Sequence, residues 1–357
     1  MQRPHAWRVA ALATAALTGM LAVAMAGCAG PAVTQSPADP APEVLLIDAD
    51  RSGAILLFFK GYRGIRRDGT TAWQAEVGPD QPDAVGCLAA CPDAILSGNA
   101  LAANGPGTAD PVPQLVLNGQ RLPVDAPASL KRRILTANGP NDFVLAGGDA
   151  AGRGWLQVRR GDATERLDLP GPRVAWSLSA DSGTALSVQG KNALWFERRD
   201  GRWRPSGLTV TITGGGSCVS PDGTLALLLG QRPALLDRAG SLKPVGQLKF
   251  ASDCAWSAQG FLVAEYGLGG GGLTTRLELL SAAGEPVWAG SVAGESRVTA
   301  DPRSARVAYV DGGWLVERDA VSGEELRRVP GVRAARYDGE GGLVVASPGG
   351  EVRWLPS

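Results

Sequence analysis

Histidine is nearly missing from this sequence: in 357 residues the single example is His5. Everything after it works without an imidazole. That excludes Ser-His-Asp and Cys-His nucleophilic catalysis, His-ligated metals and His acid–base chemistry. No Cys-x-x-Cys occurs, which removes the spacing favoured by thiolate metal sites. A surplus of one charge is also absent, with 35 basic and 35 acidic residues. A balanced chain has no basic stripe for a phosphate backbone, so no nucleic-acid partner is expected. Residues 43 to 357 lack any sustained 3.6-residue apolar period, so no sizeable helix is expected there.

What is present begins with the leader. Arg3 and Arg8 form a positive n-region, Val9 to Gly27 carries no charge, and the run ends in Met25-Ala26-Gly27-Cys28. This resembles the bacterial lipobox, although Met25 stands where that pattern prefers Leu. The resemblance implies a signal peptide over 1–27 and a lipidated Cys28 at the mature N-terminus. Two acyl chains of the palmitate type are enough for stable anchoring to the outer face of the cell membrane. An uncleaved helical anchor and an ordinary secretory signal are the alternatives; all three imply export. Residues 28–42, Cys28 followed by "AGPAVTQSPADPAP", read as a Pro-rich tether. The wealth of Ala, Gly, Pro and Arg, with five Lys among 35 cations, resembles the proteins of GC-rich, actinobacterial-type bacteria.

Residues 43–357 repeat. "CVSPDGTLALLL" at 218 has counterparts at 45 ("LLIDADRSGAILLFF"), 87 ("CLAACPDAILSG"), 134 ("ILTANGPNDFVLAGG") and 175 ("AWSLSADSGTALSVQG"). Others start at 254 ("CAWSAQGFLVAEY"), 298 ("VTADPRSARVAYVDG") and 335 ("ARYDGEGGLVVASPG"). The copies at 175, 218, 254, 298 and 335 each have a strand ending in Ser or Asp, a tight polar turn and a second apolar strand, and those at 45, 87 and 134 are weaker. The spacing is about 40 residues, a propeller-blade period. A third alternating strand and, in places, a fourth follow, as in "RRDGTTAW" and "SAAGEPVW". The fold expected is therefore an all-β propeller of four-stranded antiparallel blades, eight by repeat count and seven as runner-up. The last copy runs out after three strands, so a strand near Val44 to Ile47 is a candidate for completing it. The Asp-Gly turns resemble WD-type and TolB-type repeats, and the turn-and-Trp segments resemble pyrroloquinoline-quinone-type repeats. That resemblance is at the level of fold and implies no activity.

Beyond Cys28 four cysteines remain, enough for two disulfides in an exported protein. Three pairings are open. Cys218 with Cys254 would join equivalent positions of consecutive inner strands, and Cys87 with Cys91 would bridge a local bend. Asp48, Asp50 and Ser52 match the first half of a calcium loop, but Phe59 stands where the closing Glu belongs, so a turn is the better reading. "SADSGTAL" at 179 partly resembles a sialidase-type Asp-box and reads as a turn. "TGGGS" and "GLGGGGL" lack the Lys and helix of a phosphate cradle and read as flexible loops. Trp155, Trp195, Trp314 and Trp354 recur in one strand of the unit, a core-packing pattern.

With no catalytic motif and no cofactor or metal expected, the reading is a lipid-anchored, exported, non-catalytic binding platform. Its partners would be envelope proteins or a cell-wall polymer. The alternatives are a carboxylate-dependent glycan hydrolase or lyase at the channel, which needs an acid pair about 5–10 Å apart, and a small-ligand sensor.

Overall fold

The computed structural model describes residues 43–357 apart from 59–60, 77–83, 88–89, 98–113, 118–119, 124–130, 140–141, 149–153, 170–173, 180–182, 190, 201, 207–208, 213–215 and 270–271. The leader, Cys28 and the tether lie outside the described residues. Those described form strands and turns, with no helix.

Eight antiparallel sheets follow one another along the chain, and in each the strands pair in sequence order. Sheet 1 runs from Val44–Ala49 through Gly53–Phe58 and Gly61–Arg66 to Thr71–Glu76. Sheets 2 to 7 begin with Ala84–Cys87, Lys131–Gly139, Val174–Leu178, Gly216–Val219, Asp253–Trp256 and Val298–Asp301. Each of these also has four strands in its path. Sheet 8 has three: Ala334–Tyr337, Leu343–Ala346 and Val352–Leu355. The first hairpin of every sheet is one copy of the sequence repeat.

The first strand of each sheet packs beside the first strand of the next, and Ala334–Tyr337 packs beside Val44–Ala49. The inner strands therefore close a ring around one axis, with the sheets radiating outward. This is a β-propeller.

Burial on both faces of each sheet explains the continuous apolar runs. In Leu225–Gln231, Ala226 and Leu228 face sheet 4 with Leu186 and Trp195, whereas Leu227 faces sheet 6 with Trp256 and Phe261. Each such fully buried Leu contributes about 1.5–3 kcal/mol. The strands are short because Pro-Asp-Gly and its relatives end them. Gly223 of that turn has φ of 70°, and a Cβ there would lie 2.7 Å from Thr184 of sheet 4. Only glycine satisfies both demands.

Tryptophans tie neighbouring sheets through their indole N–H groups. Trp195 donates to the Asp237 carbonyl (3.1 Å), Trp354 to Asp50 (3.1 Å) and Trp73 to Pro92 (2.7 Å). Trp155 and Trp195 are core residues as expected, but Trp314 is not. It opens its strand immediately after the Gly312-Gly313 turn and is 43% exposed.

Ring closure also departs from expectation. Val44–Ala49 is the inner strand of sheet 1, paired with Gly53–Phe58, and does not complete sheet 8. Closure rests instead on one backbone bond, from the Val44 N–H to the Pro348 carbonyl (3.2 Å), and on side chains: Val344 and Ala346 pack against Ile47, Leu56 and Phe58. Arg336 pairs with Asp48 at 3.1 Å and Arg333 with Glu43 at 2.6 Å. Pairs this exposed contribute about 0–1 kcal/mol each, so the apolar contact carries the joint.

Candidate docking face

Antiparallel strands in a ring give two faces with different connections. One carries the turns from first to second and from third to outer strand. There the recurring Ser or Asp at the end of the inner strand caps its own turn. Asp50 Oδ1 accepts from Ser52 N (2.6 Å), Ser220 Oγ from Leu225 N (3.0 Å), and Ser257 Oγ from Gly260 N (3.1 Å). Asp301 Oδ1 accepts from Arg303 N (3.0 Å) and Asp338 Oδ1 from Gly342 N (2.9 Å). This capped face satisfies its own backbone donors.

The opposite face carries the turns from second to third strand and the passages between sheets. In sheet 6 its hairpin is extended, Gly260–Gly269 paired with Gly272–Ser281, and Leu268 stands opposite Leu273 near the tip. Leu268 is 84% exposed and Leu273 42%. Phe250, 49% exposed, lies on the short strand Phe250–Ala251, which packs beside this hairpin. Trp314 sits on the corresponding turn of sheet 7. With Leu45 and Leu46, six of the nine exposed large apolar side chains among the described residues lie on this face. This concentration of exposed apolar side chains on one face makes it the candidate interaction surface.

Near the ring axis the same face holds a cavity of about 300 Å³. Leu45, Leu46, Ile47 and Leu57 of sheet 1 meet Ala334 and Ala335 of sheet 8 and Val310 of sheet 7, with Glu295, Arg297 and Arg333 supplying charge. Arg297 and Glu295 pair at 3.0 Å. Beside them, Asp253 at the start of its strand accepts from the Tyr266 hydroxyl at 3.1 Å. Burial pushes the Asp253 carboxyl above its ordinary range, although Arg297 and the Tyr266 hydroxyl oppose the shift. Burial, then the neighbouring Asp253 charge, pushes the Tyr266 phenol up in turn. Among the cavity-lining residues Glu295 is the one carboxylate, and it is neutralised by Arg297. The lining suits an apolar group with one polar end.

The residues singled out from sequence lie elsewhere. Cys218 and Cys254 form a disulfide, with Cα atoms 6.2 Å apart, joining the inner strands of sheets 5 and 6. Closing a 36-residue separation is worth roughly 3–4 kcal/mol in the chain-entropy estimate. Cys87 and Cys91 form the second, at 5.0 Å. Asp48 and Asp50 reach that bend: Asp48 Oδ2 accepts from Cys87 N (2.9 Å) and Asp50 Oδ2 from Cys91 N (2.8 Å). Their carboxylates thus clasp sheet 2 to sheet 1, and Ser52 gives its backbone N–H to Asp50. Asp50 also lies beside both sulfurs, but joined as a disulfide these offer no thiolate to a metal. The "GLGGGGL" segment is the tip of the extended hairpin, with strand continuing through Gly269 and resuming at Gly272. "TGGGS" lies largely outside the described residues. In "SADSGTAL", Ser179 Oγ accepts from Thr184 N at 2.9 Å, a turn cap like the others.

No protein-family model matches the chain, and no curated protein matches it in sequence. Among solved structures it is similar to Hsv2 from Kluyvelomyces marxianus, a β-propeller, with a TM-score of 0.50 and 11% identity over 81% of this chain and 99% of that one. Likeness at that identity is a likeness of fold. In all, 894 solved chains match, so the shape is too widely shared to point to one activity.

Proposed function

We propose that this chain is an exported, lipid-anchored propeller that acts without catalysis, docking a partner protein of the cell envelope on its open face. The observation that carries this reading is the concentration of exposed apolar side chains on that face: Leu268, Leu273, Phe250 and Trp314, with Leu45 and Leu46 at the cavity on the same face. A protein interface core is apolar and aromatic in this way, whereas a wall polymer calls for more hydrogen-bonding groups. Two disulfides fit an oxidising compartment, and the Met25-Ala26-Gly27-Cys28 motif supports anchoring through Cys28.

The test combines anchor and face. Cys28→Ala should release the protein from membranes; unchanged retention would contradict lipidation. In intact cells, chemical cross-linking of the wild type should recover an envelope partner that Leu268→Asp/Leu273→Asp loses. Equal recovery by both proteins would contradict docking on this face. The cavity favours one second reading, a small-ligand sensor. In that case an apolar ligand with a polar end would protect Leu45 and Ala335 amides from exchange, while the Leu268/Leu273 variant would behave as wild type.

A further inference from the structure

A carboxylate oxygen of Asp50 and the sulfurs of Cys87 and Cys91 lie within 4.8 Å of one another, the one such cluster of metal-ligating side chains among the described residues. They come from two sheets. Asp50 follows the inner strand of sheet 1, Cys87 ends the inner strand of sheet 2, and Cys91 stands on the bend before Ala94–Ser97. The chain has no Cys-x-x-Cys, but a gap of three residues also falls within the spacing that thiolate sites use. The third ligand is invisible to spacing because it arrives from the neighbouring sheet.

More than the bond between them holds these sulfurs in place. Cys87 N donates to Asp48 Oδ2 at 2.9 Å, Cys91 N to Asp50 Oδ2 at 2.8 Å, and Trp73 Nε1 to the Pro92 carbonyl at 2.7 Å. A Cβ on Gly53 would lie 2.8 Å from the Cys91 carbonyl oxygen, so the bend rests closely on sheet 1. None of these contacts needs the disulfide. With the S–S bond open, Cα atoms 5.0 Å apart let the sulfurs part to the roughly 3.5–3.8 Å that a tetrahedral zinc ion requires. Asp50 Oδ1 accepts from the Ser52 and Gly53 N–H groups, which orients the carboxylate as metal-binding carboxylates are oriented. Cys91 is 3% exposed and packs with Ile55, Tyr62 and Trp73, while half-buried Asp50 and Cys87 give entry from solvent. Cys218 and Cys254 are the internal control. Asp253 beside them turns to the Tyr266 hydroxyl, and no third ligand joins that pair among the described residues.

We propose that Cys87, Cys91 and Asp50 form a redox-gated zinc site. A dithiol reductant cleaves the Cys87–Cys91 bond, supplying two electrons and two protons and itself closing to a disulfide. The two thiols then yield their protons to solvent as zinc binds, and Zn–S bonds form to both cysteines. Asp50 supplies an oxygen ligand, and water takes the fourth position. The disulfide closes the bend of sheet 2 on itself, whereas zinc ties that bend to sheet 1. The site lies at the capped end of the inner strands, and the inference does not rest on the docking-face reading.

The experiment uses the full chain with Cys28→Ala, so that the four remaining cysteines are the only source of thiols. The protein is reduced under argon with a water-soluble phosphine, desalted, and titrated with zinc against a chromophoric chelator. One zinc per reduced chain is expected, and none per oxidised chain. Cobalt in its place should give a thiolate charge-transfer band and the visible bands of a tetrahedral ion. Cys87→Ser/Cys91→Ser should abolish binding, whereas Cys218→Ser/Cys254→Ser should keep it. Asp50→Asn should weaken binding by about tenfold or more. Because that variant also alters the contact with the bend, zinc-edge X-ray absorption on the chain with all four cysteines reads the ligand set directly: two sulfurs with oxygen are expected. Absence of zinc binding, equal binding by the oxidised chain, retention in the Cys87/Cys91 variant, or three or more sulfurs on the metal would each overturn the proposal.

Discussion

The two faces of this ring are built from opposite materials. On the capped face the Ser or Asp at the end of the inner strand turns back on its own backbone in six sheets. Asp68, Asp222 and Asp319 lie on turns of the same face. Their carboxyls are held below the ordinary value of 3.8. Thr70 does this for Asp68, and the Ser322 and Val321 amides for Asp319. For Asp222, burial alone would raise it, but Ser220 and Thr224 outweigh that. On the open face the acid that stands out is Asp253, and burial pushes it up. One face has spent its polar groups on itself. The other has left apolar groups unspent, which suits it to meet another molecule.

The strongest way to break this comparison is to charge the open face. Leu268→Asp/Leu273→Asp should weaken partner binding by at least 2 kcal/mol, about 30-fold, if these are anchor residues. The melting temperature should stay within a degree or two. Val321→Asp, a matched exposed apolar position on the capped face, should change neither quantity. Titrating purified partner against the three proteins measures this directly.

Stability should respond in the reverse sense. Gly223→Ala forces a side chain into φ of 70° and against Thr184, and is expected to lose about 1–3 kcal/mol in urea unfolding without affecting binding. Ser220→Ala removes the acceptor for Leu225 N and should lose about 1 kcal/mol, again without affecting binding.

The smallest effect, and the sharpest in sign, is in pH. Asp222 and Asp319 bind protons less tightly when folded, so the stability they add is present above pH 3.8 and lost as pH falls through their lower folded values. Asp253 binds its proton more tightly when folded, so its contribution falls as pH rises from 3.8 through its raised folded value. Asp253→Asn should therefore stabilise the protein at neutral pH relative to wild type, and Asp222→Asn should destabilise it. Unfolding curves of both variants between pH 3 and pH 7 decide it. Shifts of the same sign would mean that the two faces do not differ as described.

The capped face was legible in the letters because its logic is local. Ser220, Asp222 and Gly223 act on residues within five positions, so the motif repeats visibly and all eight copies fall in first hairpins. Cys218 and Cys254 were legible for a related reason, since equivalent positions of consecutive repeats converge at the axis. The open face was not. Leu268 and Leu277 are the same letter in one hairpin, but one faces solvent and the other faces sheet 7. Only the unusual length of that hairpin, ten residues to a strand, carried a signal. Trp314 misled because it is the first residue of its strand, at the turn, whereas Trp195 is the fourth of Asn192–Arg199. Buried Glu317 gave no hint, because Arg306, Arg327 and Tyr337, which neutralise and bind it, come from other strands.

The most direct test of the docking face is site-specific photo-cross-linking in intact cells. A photoreactive residue is placed at position 268 in one strain and at position 321 in another, with equal expression. The account predicts one discrete adduct from 268 and none from 321. The same adduct from both positions, or none from 268, would contradict it.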